Sequence, residues 1–348
     1  MTLSASVPGE RGSMTGPAPE PATSVIGVRG LVKRYGPVEA VRGIDLDVHR
    51  GEVFGFLGPN GAGKSTTISI LCTLLRASSG TAHVAGFDVQ RDPAAVRARI
   101  GLVFQDPSLD DQLTARENLE FHALIYNVPR AVRRQRINEV LEMVGLGDRA
   151  SSLVRTFSGG MKRRLEIARG ILHDPRILFL DEPTQGLDPQ TRSRIWEHLQ
   201  ELRRRLGVTI FMTTHYMDEA EYCDRIAIID HGRIVAQGTS DQLKQMVGGD
   251  VVSVITADDV RAMAEIERAL DVSPVLQDGS LRMEVADGAA FVPRLIGAVS
   301  APVRSVTVRR PSLDDVFLKL TGRAIRDEDA DPLQAMRAMG ARWAGRRR

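Results

Sequence analysis

A glycine-rich loop, GPNGAGKST (Gly58–Thr66), constrains the fold of this chain more than any other segment. It follows the strand-like run IDLDVHRGEVFGFLG and leads into KSTTISILCTLL, a pattern typical of a helix packed on one face. Glycines allow backbone N–H groups to close around a β-phosphate without interference from a Cβ atom. We therefore predict a nucleotide site, with Lys64 reaching the β- and γ-phosphates and the Ser65 hydroxyl binding Mg²⁺. The predicted nucleotide contacts are Gly58, Pro59, Asn60, Gly61, Ala62, Gly63, Lys64, Ser65 and Thr66.

A second informative run, RILFLDE (Arg176–Glu182), ends in two adjacent carboxylates. Its continuous apolar stretch is typical of a strand buried on both faces of a parallel sheet, and nucleotide sites lie at the carboxyl ends of such strands. We expect Asp181 to hold Mg²⁺, directly or through water, and Glu182 to act as general base on an attacking water. Adjacent acids at a strand end are otherwise solvated loop residues, and the phosphate loop favours the functional interpretation.

The stretch TFSGGM (Thr156–Met161) predicts a second anion-binding feature. Ser158 is a plausible helix N-cap, and Gly159 and Gly160 leave bare backbone N–H groups at the helix start. Such a helix N-terminus favours anions. We expect the charged run KRR that follows (Lys162–Arg164) to form a solvated helix face.

Strand-like and helical segments alternate along most of the chain, which predicts an α/β fold with a mostly parallel sheet. VTIFMTTH and RIAIID repeat the buried-strand pattern, and near residue 250 the sequence pattern changes to that of a smaller α/β unit. The predicted organisation is a disordered tail over 1–23, a nucleotide-binding domain over 24–240 with a helical subdomain over about 106–172, a small α/β domain over 250–325 and a charged tail over 326–348.

Composition excludes several classes of protein. With 46 basic and 44 acidic residues the charge is nearly balanced, so we expect no nucleic-acid partner. No apolar run approaches the roughly 20 residues that a membrane span needs, and the first residues lack the pattern of a secretory signal. Cys72 and Cys223 lie far apart without metal-ligand spacing, so we expect buried, reduced thiols.

Over roughly Val25–Gln237 the chain resembles the ATP-binding subunits of ABC transporters. The resemblance is carried by six motifs that occur in the same order: GPNGAGKST, LVFQD, FSGGM, ILFLDEPT, GLDP and TTH. The resemblance implies a P-loop ATPase core in which the mostly parallel sheet is joined by an antiparallel β-subdomain and a helical subdomain. It also implies ATP as the nucleotide, Mg²⁺ as the metal and ATP hydrolysis as the activity.

The same resemblance implies roles for four further residues. Tyr35 in VKRYG would stack on adenine, the alternative being a half-buried tyrosine at a strand end. Gln105 would contact Mg²⁺ and link the nucleotide to a membrane partner, and His215 would contact the γ-phosphate as a third catalytic residue beside Glu182 and Lys64. Asp188 would communicate across a dimer interface, although an Asp–Pro turn that opens a helix also explains it.

In proteins that this chain resembles, two subunits dock head to tail. Each subunit presents its Ser-Gly-Gly segment to the γ-phosphate bound on the other, so Ser158, Gly159 and Gly160 would complete the site of a homodimer partner. The common pattern is Leu-Ser-Gly-Gly-Gln, whereas Phe157 and Met161 take the outer positions here. Phenylalanine keeps an apolar anchor and methionine loses an amide, so we expect weakened rather than lost closure.

The ending RRPSLDDVFLKLTGRAI (Arg309–Ile325) resembles the daunorubicin/doxorubicin-resistance group of ATP-binding proteins. This implies the motor of an ABC-2-type exporter of a drug, antibiotic or lipid-like compound, bound at the cytoplasmic face of the membrane to a separate integral permease. QLTARENLEFHALIYNVP resembles the helical segment that grips such a permease. An import ATPase would share the core but usually not this ending. Translation factors and repair ATPases are disfavoured by the single phosphate loop and the unbroken core.

Overall fold

The computed structural model of the chain describes residues 24–106, 108–277 and 279–321. The tails predicted over 1–23 and 326–348 lie outside these residues. The strands are β1 (Ser24–Tyr35), β2 (Val38–His49), β3 (Val53–Leu57), β4 (Ser79–Val84), β5 (Phe87–Asp88), β6 (Ile100–Val103), β7 (Ile177–Asp181), β8 (Thr209–Thr214), β9 (Arg225–Asp230), β10 (Arg233–Gly238), β11 (Asp250–Thr256), β12 (Val275–Gln277), β13 (Ser280–Val285) and β14 (Val303–Arg309). The helices are α1 (Lys64–Leu71), α2 (Pro93–Arg97), α3 (Ala115–Ile125), α4 (Arg130–Met143), α5 (Gly159–Ile171), α6 (Pro189–Leu206), α7 (Met217–Ala220), α8 (Ser240–Gln245), α9 (Asp259–Leu270), α10 (Gly288–Ala298) and α11 (Leu313–Thr321).

The central sheet has six strands in the order β10-β9-β3-β8-β7-β6. Neighbouring strands are parallel except for β10, which pairs with β9 in antiparallel orientation. Every residue of β3, β7 and β8 is buried, as expected for apolar runs in parallel strands that are covered on both faces. The predicted α/β fold with a mostly parallel sheet is confirmed. The carboxyl ends of these strands form the edge at which such sheets bind ligands.

Side chains alternate along the central strands and so enter two separate cores. Phe54, Phe179 and Phe211 pack toward the antiparallel sheet β2-β1-β4-β5. The ring of Phe211 lies 5.6 Å from that of Phe54 and 5.4 Å from that of Phe179. Leu57 and Leu180 point to the other face, where helices α3 to α6 cover the sheet. The sheet is thereby held rigidly between the antiparallel layer and the helices.

Helices α3, α4 and α5 pack on one another within the second core, and all three fall in the predicted helical range of 106–172. Helix α3 begins at a capping box. The Thr114 hydroxyl accepts a hydrogen bond from the Glu117 N–H, and the Glu117 carboxylate accepts one from the Thr114 N–H. Leu119, Ile137 and Leu165 are buried between the helices.

A third sheet, in the order β12-β13-β11-β14, is wholly antiparallel. Val254, Ile266 and Leu281 form a small core between this sheet and helices α9 and α10. Helix α11 follows the small sheet in the chain but packs elsewhere. Its buried residues, including Val316 and Phe317, join the core under α3 to α6, and it contacts α7 and α8.

The two cysteines are buried, reduced thiols, as the sequence predicts. Cys72 and Cys223 are both buried and free. Burial raises the pKa of each thiol, so both stay protonated at neutral pH. Across the described ranges, no helix has the length and apolar character needed to cross a bilayer.

Candidate active site

The phosphate loop joins β3 to α1 and is closed tightly against two neighbouring strands. A Cβ atom on Gly58 would lie 2.2 Å from the carbonyl oxygen of Ile229 in β9. One on Gly63 would lie 2.5 Å from the carbonyl oxygen of Ala40 in β2, and Gly63 has a left-handed φ of +109°. These glycines therefore allow the loop to pack against β9 and β2, and they also leave its N–H groups accessible to a phosphate.

The remaining loop residues complete this turn. The Ala62 N–H donates to the Pro59 carbonyl at 3.2 Å, and the Gly232 N–H donates to the Ala62 carbonyl at 2.9 Å. Asn60 and Gly61 lie exposed at the surface of the loop, whereas Thr66 lies on α1.

Lys64 lies inside the loop with its side chain almost fully buried. Its Nζ donates to the carbonyl oxygens of Gly58 at 2.6 Å and Pro59 at 3.1 Å, and lies 3.3 Å from Oε1 of Glu182. A buried ammonium needs such partners because removing it from water is costly. The loop thus holds a fixed positive charge where phosphates are expected.

Ser65 and Asp181 come together from α1 and the end of β7, as predicted for a metal site. The Ser65 Oγ lies 3.3 Å from Asp181 Oδ1. The same carboxylate oxygen accepts a hydrogen bond from the Thr213 hydroxyl at the end of β8. Hydroxyl and carboxylate oxygens are ligands that Mg²⁺ prefers, so the donor set fits this ion.

Glu182 occupies a strained position between two cationic or polar partners. It is buried, and its φ of +45° is uncommon for a residue with a side chain. Its Oε1 lies near Lys64, and its Oε2 lies 3.2 Å from Nδ1 of His215. Burial raises the pKa of Glu182, but the contacts with His215 and Lys64 outweigh it, and the net pKa is lowered. The carboxylate is therefore ionised at neutral pH, which is the form that a general base needs.

Gln105 and Asp188 lie on loops that meet beside this cluster. The amide of Gln105 donates to the Gln185 side-chain carbonyl at 2.5 Å and links the loop after β6 to the loop before α6. Asp188 caps α6 by accepting a hydrogen bond from the Thr191 N–H at 2.9 Å, which fits the Asp–Pro interpretation. Hydrogen bonds from Thr191 lower the pKa of Asp188. Both side chains are exposed and accessible to a partner.

Tyr35 lies at the end of β1, in the hairpin with β2. Its side chain is 48% exposed, and Lys33 Nζ lies 5.0 Å from the centre of its ring. A side chain that is about half exposed at the end of a strand also fits the alternative of a half-buried tyrosine, so adenine stacking stays a prediction. The exposed ring leaves a face on which a base can stack.

The start of α5 is exposed and capped. Ser158 is the N-cap, and its hydroxyl accepts a hydrogen bond from the Met161 N–H at 3.3 Å. A Cβ atom on Gly160 would lie 2.4 Å from Cγ2 of Thr191, so this glycine lets α5 approach α6 closely. Gly159 and Ser158 are exposed, and the Met161 side chain packs against the core. The methionine thus contributes packing at the position where the pattern Leu-Ser-Gly-Gly-Gln has an amide.

Arg163 is only 6% exposed. The expectation of a solvated helix face over Lys162–Arg164 is therefore wrong for this residue. The helical repeat places it on the buried side of α5, with Glu166 and Ile167 one turn further on. Lys162 instead pairs with Asp111 at 2.8 Å near the surface, in agreement with the prediction.

Comparisons with known proteins agree with this geometry. The ABC transporter family profile matches residues 41–185, and the profile of the C-terminal domain of DrrA1-3-like ATP-binding proteins matches residues 238–321. The daunorubicin resistance ATP-binding protein DrrA3 of Streptomyces coeruleorubidus is 41% identical, over 89% of this chain and 99% of that protein. The chain belongs to the DrrA-like ATP-binding proteins of ABC transporters. The linearmycin resistance ATP-binding protein LnrL of Bacillus subtilis is 39% identical, over 85% of this chain and 98% of LnrL.

Solved structures of ABC ATP-binding proteins share the fold. CbiO1 of Clostridium perfringens, part of the transporter complex cbiONQ, is 29% identical with a TM-score of 0.60, over 71% of this chain and 96% of its own. A dimeric ATP-binding cassette in a post-hydrolysis state, bound to ADP and Pi, is 28% identical with a TM-score of 0.56, over 62% of this chain and 98% of its own. The predicted resemblance is confirmed, and with it nucleotide binding and ATPase activity.

Four residues near the site of this ABC ATP-binding protein have no functional role predicted from the sequence: Arg163, Glu166, Gln185 and Thr213. Arg163 and Glu166 have a detectable signal, because both fall on the apolar side of a helical repeat where charges are unusual. Thr213 has a weaker one, a hydroxyl at the carboxyl end of a buried strand. Gln185 has none, since a lone glutamine in a loop is ordinary.

Proposed function

We propose that this chain is the ATP-hydrolysing subunit of an ABC-2-type exporter and drives efflux of a hydrophobic drug, antibiotic or lipid-like compound through a separate membrane permease. One observation carries the catalytic part. Lys64, Ser65, Asp181, Glu182 and His215 converge from α1 and from the carboxyl ends of β7 and β8. This cluster supports phosphoryl transfer to water.

The residues of the cluster and the neighbouring Gln105 divide the tasks of the reaction. Ser65, Gln105 and Asp181 would hold Mg²⁺, which supplies positive charge beside the β- and γ-phosphates. Lys64 pairs with Glu182 in this structure, and the larger negative charge of a triphosphate competes for its ammonium. Glu182 is then free to orient a water molecule and accept its proton, while His215 stays beside the carboxylate and faces the γ-phosphate.

The proposal includes a head-to-tail homodimer in which the exposed start of α5 completes the partner's site. Ser158 and Gly159 are accessible, and the N–H groups there carry the positive end of the helix dipole. A γ-phosphate between the subunits would hold them together, and its loss on hydrolysis would release them. Tyr35 would stack on adenine, and Asp188 would lie at the dimer interface.

The dimer model predicts a large effect of Ser158→Arg. Arginine removes the cap and places bulk at the surface that meets the partner, so we expect ATP-dependent dimerisation to disappear and ATP hydrolysis to fall by about 100-fold. Size-exclusion chromatography with and without ATP, together with phosphate release, measures both effects. Ser305→Arg, on the exposed surface of β14, is the control. A Ser158→Arg protein that still dimerises with ATP would rule out the composite site.

The export assignment is supported by relatives and by one surface. Relatives are named for resistance to daunorubicin and linearmycin and, in Ralstonia nicotianae, for Nod factor export. The match over 238–321 to the C-terminal domain of DrrA1-3-like proteins favours an exporter over an import system. Phe121, Leu124 and Ile125 on α3 expose large apolar side chains, as does Phe104 beside Gln105. Phe121, Leu124 and Ile125 lie on the same face of α3 and form an apolar patch suited to a permease at the cytoplasmic face of the membrane.

The apolar patch predicts the outcome of Phe121→Asp. A carboxylate in the centre of an apolar interface should weaken binding to the permease by about 30-fold or more, while basal ATP hydrolysis stays at the parental rate. The permease is first identified as a polytopic membrane protein that co-purifies with the parental chain, and co-purification of the variant with it then measures the binding. Val260→Asp introduces the same charge at an exposed apolar residue of α9 and should retain the permease.

The full proposal is tested by efflux in a drug-sensitive host. Co-expression of this chain and its permease should lower the cellular content of a hydrophobic drug, and the Glu182→Gln chain should fail to do so although it still binds the permease. Equal drug retention with the parental and Glu182→Gln chains would contradict the export function.

A further inference from the structure

Arg163 lies on the buried side of α5 and donates to backbone carbonyls in two functional segments. Its Nη2 lies 3.1 Å from the carbonyl oxygens of both Asp181 and Glu182, and its Nε lies 2.5 Å from that of Pro183. Its Nη1 donates to the carbonyl oxygen of Phe104 at 2.5 Å. One guanidinium thus joins the strand end that bears the general base to the loop that bears Gln105.

Glu166, one helical turn further along α5, secures the other side of the Gln105 loop. It is fully buried, and its Oε2 lies 3.1 Å from Nη1 of Arg163. Its Oε1 accepts a hydrogen bond from the Ser108 N–H at 2.8 Å. Arg169 donates to the carbonyl oxygen of Ser108 at 2.8 Å. Gln105 therefore lies in a loop that is held at both ends by charged residues of one helix.

A buried ion pair is a costly way to stabilise a core, because each charge loses its hydration. Here the guanidinium donates to three successive carbonyl groups at the end of β7 and in the turn that follows it. Glu182 is held there with a left-handed φ of +45°. The network is thus suited to preorganise a strained catalytic turn, which an apolar pair of the same volume would not do.

The same helix begins at Gly159, and its N-cap Ser158 lies about one and a half turns before Arg163. A displacement of α5 therefore moves the guanidinium and the carbonyls bound to it. The path from Ser158 to the backbone of Glu182 consists of the start of one helix and direct hydrogen bonds, with no intervening loop.

We propose that Arg163 is a positioning residue, which with Glu166 couples the docking of the Ser158 end of α5 on a partner's nucleotide to the placement of Glu182 and Gln105 in its own chain. This inference rests on the proposed function, because it presumes the ATP-dependent dimer. Arg163 touches neither nucleotide nor metal in this role; it acts through the backbone of the catalytic turn.

The test uses the full chain with Arg163→Met, which keeps the length and removes all donors. We expect the Kd for ATP to stay within about twofold of the parental value, because the phosphate loop is untouched, and kcat to fall by about 100-fold. The midpoint of thermal unfolding should fall by roughly 10 °C, because Glu166 loses its buried partner. Arg164→Met is the matched control, since Arg164 donates to the carbonyl oxygens of Val144 and Gly145, away from the site. It should keep the parental kcat.

A double variant separates positioning from stability. Arg163→Met with Glu166→Met removes both buried charges, so we expect most of the thermal midpoint to return while kcat stays low. Arg163→Lys, a single cation that cannot reach all four carbonyls, should give an intermediate kcat. If the double variant recovers the parental kcat together with its midpoint, Arg163 is merely structural and the proposal is overturned.

Hydrogen exchange tests the inference without relying on hydrolysis. In Arg163→Met the amides of Asp181, Glu182, Thr184 and Gln185 and of the residues flanking Gln105 should exchange at least about tenfold faster, and in Arg164→Met they should not. Parental and Glu182→Gln proteins are assayed alongside. Equal hydrolysis by these two would refute the proposed function, whereas unchanged exchange in Arg163→Met would refute the positioning role alone.

Discussion

Glu182→Gln is expected to lower the rate of ATP hydrolysis by about 1000-fold while ATP binding changes little. Glutamine has nearly the same shape and keeps the buried site filled, but it cannot accept a proton from water. It also releases Lys64 from its ion pair at 3.3 Å, which favours contact between the ammonium and the phosphates. Phosphate release and ATP titration on the purified protein measure the two quantities.

The same substitution should trap the dimer. Because the γ-phosphate is no longer removed, the contact with the Ser158 helix persists, and the ATP-bound dimer should survive size-exclusion chromatography. Glu201→Gln is the matched control, since Glu201 pairs with Arg204 and Arg205 on the surface of α6. Hydrolysis at the parental rate in Glu182→Gln would show that another group acts as the base.

Gly58→Ala is expected to damage both stability and nucleotide binding. The added methyl group would lie 2.2 Å from the carbonyl oxygen of Ile229, so either β9 or the phosphate loop must move. We expect a loss of about 3 kcal/mol in the free energy of unfolding. Movement of the loop also displaces the Gly58 carbonyl that holds Lys64, and the ATP Kd should rise by at least about tenfold.

Gly61→Ala provides the comparison within the same loop. Gly61 has a φ of +79° but open space around its Cα, so alanine there meets backbone strain without a collision. We expect a cost of about 1 kcal/mol and a smaller effect on ATP binding. Urea unfolding and ATP titration measure both variants. Equal behaviour of the two proteins would mean that the contact with Ile229 does not hold the loop in place.

Most elements of the fold follow from local patterns in the sequence. The buried runs VFGFL, ILFLD and TIFMTT became the fully buried strands β3, β7 and β8, because continuous apolar residues suit a sheet that is covered on both faces. The packing of helix α11 does not follow from local patterns. It contacts α7 and α8, and such a contact depends on which apolar surface lies within its reach.

The candidate site also combines residues that the sequence predicts with contacts that it does not. Lys64, Ser65 and Asp181 lie in short motifs, whose chemistry is recognisable because the loop and the strand end are local structures. The contacts among them are long-range, and His215 meets Glu182 only because β7 and β8 are neighbours in the sheet. Three consecutive basic residues on a helix usually face water, and the expectation that Arg163 does so is wrong because its side chain enters the core.

By itself the sequence determined the α/β fold and predicted a nucleotide site at its phosphate loop, because glycine spacing and buried-strand patterns are local properties. It also determined the likeness to DrrA-like ATP-binding proteins, which relatives at about 40% identity confirm. Only the tertiary structure decided that Arg163 binds the backbone of the catalytic turn and that Gln105 meets Gln185. Those contacts join residues far apart in the chain, and their partners are carbonyl and amide groups whose positions the fold alone sets.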